Sequence, residues 1–363
     1  MLTIEQINTE SKIQVRRFVE LPYRLYANCP QWVPPLFVDI ELCLNRQAHP
    51  IYAHSEADFF IAVRDGRDVG RLAIFTPPYG RSDQAWFYFF ECEDDAQAAT
   101  ALFERGFEWA RIRRLNYVLG PKGFTMLGIS GLLIEGFEYR QVMDMTSYNY
   151  NYYADLIERV GFEKKYDSIC YHLKDNTFHL PAWVHNVADW VRQKEGLHVQ
   201  QFSTMSDLLH WFPRLLKSLL HAAYIPTYDG ELPLLINMLK RVVNPQLIKA
   251  IMDKEDVVGV IFAYPNLSSA LHRISGRLNL EVLQKEKQRT KGIVFNGLGI
   301  SRQFQKQGTN ALLFSEMEKT VRQAGFQYAD MLTVFETTVP MQRDLKMMGI
   351  QASQKHRVYV RHL

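Results

Sequence analysis

Residues 293–325 read IVFNGLGISRQFQKQGTNALLFSEMEKTVRQAG, and this stretch decides the fold of the chain. Its beginning is apolar and partly β-branched, which is typical of a strand. Its second part has apolar residues at Leu313, Met317 and Val321, the i, i+4 spacing of one buried helix face. Gly325 follows as a natural helix stop. The stretch therefore predicts a strand, a polar turn and an amphipathic helix in succession.

The turn between this strand and this helix, residues 305–310, has the features of an anion site. The first amide groups of a helix have no partner within the helix and lie at its positive end. Gly308 lacks a Cβ atom and lets the backbone approach a ligand closely, and Lys306 and Arg302 add positive charge. A phosphate or a pyrophosphate is the ligand that suits such a turn. The alternative is an ordinary strand-to-helix connection without a ligand.

The same turn resembles the pyrophosphate loop of the GNAT (Gcn5-related) acyltransferases, whose pattern is Q/R-x-x-G-x-G/A. The matching residues are Gln305, Lys306, Gln307, Gly308, Thr309 and Asn310. The last position departs from the pattern, which has glycine or alanine there. The order downstream also matches, because a strand is predicted over residues 328–334, a short helix over 340–348 and a closing strand over 358–360.

The resemblance implies a cofactor and the residues that bind it. In this family the loop holds the pyrophosphate of acetyl-CoA or another acyl-CoA, which is a co-substrate. Carried over to this sequence, the cofactor-binding residues are those of the loop together with Ile300 and Arg302. The resemblance also implies a small-molecule acceptor, either an amine or an amino-acid-like compound.

The chain repeats this organisation. A strand pair, a further strand, a helix that ends at glycine and a closing strand follow one another in the same order in both halves. We therefore predict an α/β (α+β) fold of two tandem GNAT-like domains, residues 1–175 and 183–363, each with a central mixed, mostly antiparallel sheet flanked by helices. Pro181 breaks the pattern between them. A chance agreement between two α/β segments is the alternative.

The first half lacks the anion site of the second. Where the loop would be, it has Glu93, Asp94 and Asp95 at the start of a helix, without glycine or a basic residue. Carboxylates favour the positive end of a helix and would repel a pyrophosphate. The first domain is therefore predicted to be a degenerate copy that does not bind CoA in this manner.

Two segments of the first half are candidates for contact with the acceptor. The run YNYNYY over residues 148–153 lies where the resemblance implies the substrate cleft, and its candidate substrate-binding residues are Tyr148, Tyr150 and Tyr152. Tyrosines can bind polar ligands through ring face and hydroxyl group. The alternative is that they pack within their own domain. The glycine-rich segment 120–128 follows a strand but lacks the spacing of a known phosphate loop.

The family's usual catalytic residues are missing. Its members commonly protonate the leaving thiolate with a tyrosine near the last helix, and Leu345 matches that position. The asparagine that many members have before this helix is replaced by Thr338. The remaining catalytic candidates are Glu336, just after the fifth strand of the second domain, and Asn296, on its fourth strand.

Composition limits the other function classes. A formal net charge of +3 in 363 residues does not indicate nucleic-acid binding, and no apolar run is long enough to span a bilayer. The four cysteines form no CxxC pair and the histidines show no HExxH spacing, so no metal site is expected. The chain opens with polar residues rather than a signal peptide, which indicates a cytoplasmic protein. Nothing in the sequence indicates an oligomeric state.

Three functions remain open from the sequence. The first is a CoA-dependent N-acyltransferase that acts on a small amine or amino-acid-like acceptor. The second is a tandem-GNAT transferase that uses an aminoacyl-tRNA and no CoA. The third is a protein that binds acyl-CoA or another metabolite without catalysis. The intact loop favours the first and the third, whereas the missing tyrosine favours the third.

Overall fold

One sheet of 13 strands runs through both halves of the computed structural model, which describes residues 1–81, 83–125, 128, 130–174, 179–222 and 226–363. The strands of the first half are β1 (Leu2–Gln6), β2 (Ala57–Arg64), β3 (Arg67–Phe75), β4 (Gln84–Cys92), β5 (Tyr117–Gly120), β6 (Leu132–Glu135) and β7 (Glu163–Lys174). Those of the second half are β8 (His198–Gln201), β9 (Ile248–Asp253), β10 (Asp256–Pro265), β11 (Gly292–Ile300), β12 (Tyr328–Phe335) and β13 (Gln351–His362).

Helices flank the sheet in both halves. The first half contains α1 (Lys12–Leu25), α2 (Phe37–Leu44), α3 (Ala96–Ile112) and α4 (Tyr153–Arg159). The second contains α5 (Ala182–Glu195), α6 (Met205–Ala222), α7 (Glu231–Leu239), α8 (Ser268–Ile274), α9 (Leu280–Arg289), α10 (Asn310–Gln323) and α11 (Val339–Met347). Among the described residues no helix combines the length and the hydropathy needed to cross a bilayer.

The two halves exchange their closing strands. The strand order is β1-β2-β3-β4-β5-β13-β7-β12-β11-β10-β9-β8, with β6 also paired to β13. The last strand of the chain, β13, therefore pairs with β5 of the first half, and β7 pairs with β12 of the second half. The predicted fold of two tandem, mostly antiparallel α/β units is confirmed. The boundary at residue 175 lies outside the described residues and stays a prediction.

Each half contains one parallel strand pair that opens into a cleft. Residues 84–86 of β4 pair with 117–119 of β5, and residues 292–295 of β11 pair with 328–331 of β12. All other ladders between the described strands are antiparallel. Beyond these residues the two parallel strands no longer pair, so each half has room for a ligand between them.

The order predicted downstream of residue 325 is confirmed, but one helix before it escaped the sequence analysis. β12, α11 and β13 occupy the three predicted segments, and β13 is longer than expected because it pairs with three strands. Helix α5 follows directly after Pro181 and packs against α10. Its buried residues Val184, Ala188 and Val191 have helical spacing and could have indicated it.

An apolar cluster joins the two halves beside the openings of the sheet. It brings Val142 and Met143 of the first half against Leu271 and Val294 of the second. Val294 lies on β11, two residues before Asn296. The cluster therefore fixes the loop around residue 143 against the strand that carries the predicted cofactor turn.

Candidate functional site

The predicted pyrophosphate turn connects β11 to α10 and is braced by its own side chains. The Gln305 side-chain amide donates to the carbonyl oxygen of Ile300 at 2.8 Å, and the Thr309 hydroxyl donates to that of Phe304 at 2.8 Å. The Gln307 amide donates to the carbonyl oxygen of Gln303 at 2.8 Å. These bonds fix the backbone of the turn before any ligand arrives.

The backbone of this turn leaves several amide groups free. Lys306 and Gly308 have positive φ angles of 62° and 77°, which turn successive peptide groups toward a common side. In the described part of the chain the N–H groups of Gln307, Gly308 and Thr309 donate to no protein acceptor. Lys306 and Arg302 are exposed beside them. The turn therefore has the free donors and the positive charge that an anion requires.

Helix α5 lies directly against this turn. A Cβ atom on Gly308 would stand 2.4 Å from Cγ1 of Val187. Glycine is thus required here both by its positive φ angle and by close packing. At the last position of the motif, the Asn310 side chain reaches Asp344 of α11 at 3.4 Å.

In its middle, β11 opens away from β12 at Asn296. The parallel pairing ends at Phe295 and Met331. The register with β10 shifts just after this point, and Gly297 has a φ angle of 138°. Leu219 of α6 covers Gly297 closely, since a Cβ there would lie 2.8 Å from its Cδ2. Asn296 therefore stands at the mouth of the opening.

A cavity of about 260 Å³ begins at Asn296 and extends into the first half. Most of its wall is apolar, with Trp32, Tyr88 and Phe124 from the first half and Leu239 from the second. The glycine-rich segment contributes Gly123, Thr125 and Gly128, whereas its Met126 and Leu127 lie outside the described residues. The cavity is thus built by both halves and suits an apolar ligand.

The structure brings only some of the predicted residues to this cavity. Asn296 and Tyr148 line it. Tyr150 and Tyr152 pack against the core of the first half, and their hydroxyl groups donate to the carbonyl oxygens of Leu25 at 3.2 Å and Cys92 at 2.9 Å. These two tyrosines therefore pack within their own domain, which was the alternative to contact with the substrate.

Glu336 does not line the cavity. Its carboxylate accepts a bond from Lys164 at 2.7 Å and another from the backbone N–H of Asp167 at 3.0 Å. The bond from Lys164 is the largest cause that lowers the pKa of Glu336. This carboxylate joins β12 to β7 at the surface, and nothing in its geometry supports a catalytic role.

Leu345 and Thr338 leave α11 without a proton donor at the matched positions. Leu345 is buried in the apolar core of the second half, and Thr338 precedes α11 on the exposed surface. A tyrosine hydroxyl is therefore absent from the position where the family commonly has one.

The corresponding anion site of the first half is closed by the protein itself. Asp95 caps α3 by accepting bonds from the N–H groups of Gln97 at 3.1 Å and Ala98 at 3.0 Å. Arg64 binds the same carboxylate through two bonds, of 2.7 and 2.9 Å. Burial opposes ionisation, but the bonds and the charge of Arg64, together with the backbone bonds from Ala98 and Gln97, outweigh it and lower the pKa of Asp95. The N–H groups of Gln97 and Ala98 are therefore not available to an incoming pyrophosphate.

The cavity wall also contains charged residues that the sequence analysis missed. Glu91 accepts the hydroxyl groups of Tyr26 at 2.7 Å and Tyr153 at 2.9 Å, and Arg71 lies 3.9 Å from its other oxygen. A second group consists of Asp39, Arg241 and Asp144. No local pattern marks these residues, because segments distant in the chain bring them together. Within the described residues no cluster suits a metal ion.

The chain is similar to known proteins in sequence and in fold. No protein-family profile matches the chain. A bacterial ceramide synthase of Caulobacter vibrioides is 27% identical over 293 residues, which are 75% of this chain and 72% of that protein. Protein YghO of Escherichia coli is 22% identical over 97% of this chain and 94% of its own length.

Solved structures share the fold. A tandem GNAT protein from the clavulanic acid biosynthesis pathway superposes with a TM-score of 0.58 at 12% identity, covering 100% of this chain and 98% of its own. A GCN5-related N-acetyltransferase from Sphaerobacter thermophilus superposes with a TM-score of 0.52 at 12% identity. The superposition covers 99% of this chain and 95% of that chain. At such identities the likeness concerns the fold.

Proposed function

Since the chain has the fold of tandem GNAT proteins, we propose that it transfers an acyl group from an acyl-CoA to an amine that carries a long apolar chain. One observation carries this proposal: β11 is followed by the braced anion turn at its C-terminal end and opens into the apolar cavity at Asn296, in the middle of the strand. An extended strand from Asn296 to Ile300 spans about 13 Å. An extended pantetheine arm has a comparable length.

The cofactor would bind to the second half. Its pyrophosphate would accept bonds from the free amides of residues 307–310 and attract Lys306 and Arg302. The pantetheine arm would follow the opening between β11 and β12 and bring the thioester to Asn296. Acetyl-CoA is one member of the acyl-CoA class.

The cavity supports an acceptor larger than the small amine expected from the sequence. Its wall is largely aromatic and aliphatic, which favours an aliphatic chain over a small polar molecule. The Caulobacter relative is called a ceramide synthase. A ceramide is the N-acyl derivative of a long-chain amino alcohol, so that reaction joins an acyl group to this kind of amine.

The chemistry needs few groups from the protein. A neutral amine attacks the thioester carbon, the C–N bond forms and the C–S bond breaks. The nitrogen loses one proton, which balances the charge of the departing CoA thiolate. The side-chain amide of Asn296 would donate to the carbonyl oxygen as negative charge develops on it. The two halves of the chain would also bind the two substrates next to each other, and this proximity would further increase the reaction rate.

The test is an acylation assay with purified full-length chain. We expect CoA release and an N-acyl product when acetyl-CoA or palmitoyl-CoA is combined with sphinganine, and much slower reaction when sphinganine is replaced by ethanolamine. Product masses distinguish acylation from hydrolysis of the thioester. Absence of an N-acyl product with every pair of substrates would contradict the proposal.

A non-catalytic acyl-CoA-binding protein is the second candidate. The observation that favours it is Leu345 in the position of the family's tyrosine. Calorimetric binding of acyl-CoA without turnover of any amine would support this candidate instead. No feature of the described residues favours use of an aminoacyl-tRNA.

A further inference from the structure

A tightly held loop between β6 and α4 presents Asp144 to the cavity. The backbone N–H of Met143 donates to Oγ of Ser268 in the second half at 2.8 Å. The Gln141 side-chain amide donates to the carbonyl oxygen of Thr146 at 2.6 Å. Met143 adopts a positive φ of 53°, a conformation that is costly for a residue with a side chain. The surrounding contacts therefore impose the shape of this loop.

The Asp144 side chain is partly buried, and it lines the cavity. In the described part of the chain it has no hydrogen-bond donor and no ion-pair partner. Its neighbour Asp39 differs, because Arg241 binds that carboxylate at 2.7 Å. An unpaired carboxyl group in an apolar wall is costly for folding. Such a group is expected where a ligand supplies the missing partner.

We propose that Asp144 binds the ammonium group of the acceptor and accepts its proton, an inference that rests on the proposed acyltransferase function. The Asp144 carboxylate removes one proton from the ammonium group, and the resulting amine attacks the thioester carbon. The C–N bond forms as the C–S bond breaks. The nitrogen loses its second proton, which balances the charge of the departing CoA thiolate, and the proton on Asp144 returns to solvent.

The other carboxylates near the reaction are already engaged. Asp39 is paired with Arg241, and Glu91 accepts two tyrosine hydroxyl groups. Glu336 is held by Lys164 outside the cavity. Asp144 differs from these three because it faces the cavity without a partner. Asn296 lines the same cavity from the second half, so the acceptor nitrogen and the thioester would meet between these two residues.

The ionisation of Asp144 is suited to this role. The pKa of its carboxyl group is raised to about 8, chiefly by burial and also by Asp39, while Arg241 opposes the change. The charge of Asp144 in turn raises the pKa of the titratable groups that face it from three elements, Tyr23 of α1, Cys43 of α2 and Tyr88 of β4, although burial is the largest cause for each of them. A base with a pKa near neutrality is effective in general-base catalysis.

The experiment compares Asp144→Asn with Glu138→Gln, an exposed acid of the same segment. With palmitoyl-CoA and sphinganine at pH 7, we expect kcat/KM of Asp144→Asn to fall by about 100-fold or more. Glu138→Gln should keep the parent value. Calorimetric binding of palmitoyl-CoA should be equal in all three proteins, which also shows that the variants are folded.

The pH profile separates a base from a merely structural residue. The parent kcat/KM should rise with the ionisation of Asp144 and fall as the acceptor loses its ammonium proton. In Asp144→Asn only the neutral amine reacts, so kcat/KM should rise steadily with pH. The difference in kcat/KM between this variant and the parent should therefore become smaller above pH 9.

Two results would overturn the inference in different ways. If the parent acylates sphinganine and Asp144→Asn stays within twofold of it at pH 7, the role of Asp144 is wrong while the proposed function stands. If the parent forms no N-acyl product with any amine, the proposed function fails and this inference fails with it.

Discussion

Gly308 and Val187 are in direct contact: a Cβ on Gly308 would stand 2.4 Å from Cγ1 of Val187. Gly308 therefore joins the anion turn to α5 and also lets the backbone adopt a φ of 77°. A substitution at this glycine changes the packing of α5 as well as the anion site, so loss of CoA binding alone does not identify the site.

The first prediction separates these two effects. Gly308→Ala should destabilise the chain by about 2–4 kcal/mol, from overpacking against α5 and from the positive φ angle. Adding Val187→Ala to this variant should remove the share of the destabilisation that comes from overpacking. The share that comes from the positive φ angle should remain. Denaturant unfolding of the two single variants and the double variant measures the coupling. If the changes in the free energy of unfolding of the two single variants simply add up in the double variant, the two residues are not coupled by packing.

The second prediction tests the anion turn without disturbing α5. Lys306 and Arg302 are exposed and have no ion pair among the described residues. Lys306→Glu and Arg302→Glu should each weaken CoA binding about tenfold, or about 1.4 kcal/mol, by repelling the pyrophosphate. The effect should diminish at high salt.

The control for this charge reversal is Lys12→Glu, which changes an exposed lysine at the start of α1. It should bind CoA as the parent does in the same titration. Equal loss of affinity in Lys12→Glu and Lys306→Glu would mean that the effect comes from net charge and not from the turn.

The third prediction follows from the exchanged strands. Because β13 lies between β5 and β7, and β7 pairs with β12, each half lacks part of its sheet without the other. Residues 1–175 or 183–363 produced alone should be poorly folded, and the full chain should unfold in one transition. Calorimetry and circular dichroism provide the measurements. A half that unfolds cooperatively by itself would argue that the strand exchange is dispensable.

The unit around the anion turn could be predicted from the sequence because its signals are local. The apolar spacing of α10, the glycine at the turn and the apolar residues of β12 are each visible within a few residues. The strand exchange could not be predicted in this way. β7 and β13 show the same strand pattern whichever neighbour they pair with, and only the packing of the whole chain selects that neighbour.

The candidate site was predictable to a smaller degree. Asn296 could be predicted as a site residue because it lies on β11. In the run YNYNYY, however, the sequence does not distinguish Tyr148, which lines the cavity, from Tyr150 and Tyr152, which do not. Their different surroundings are decided by contacts with α1 and β4, far away in the chain. Asp144 gave no signal, because its importance lies in a missing partner, and a missing partner has no sequence pattern.

The fourth prediction concerns the stability cost of Asp144. In the unfolded chain an aspartate ionises near pH 4, whereas burial raises its pKa to about 8 in the folded chain. Between these values the unfolded chain releases a proton that the folded chain retains. Ionisation of this group therefore lowers the stability of the folded chain as the pH rises from about 4 to 8.

Asp144→Asn removes this cost, so it should be more stable than the parent at pH 8 by at least about 1 kcal/mol, since one pKa unit corresponds to about 1.4 kcal/mol. The two proteins should differ little in this respect near pH 4. Thermal unfolding at several pH values measures the difference, and Glu138→Gln should show no such trend. A difference between Asp144→Asn and the parent that stays constant from pH 5 to 8 would mean that Asp144 ionises normally in the folded chain. If Asp144→Asn is instead more stable at neutral pH and acylates about 100-fold more slowly, the carboxyl group destabilises the fold and is retained because the reaction needs it.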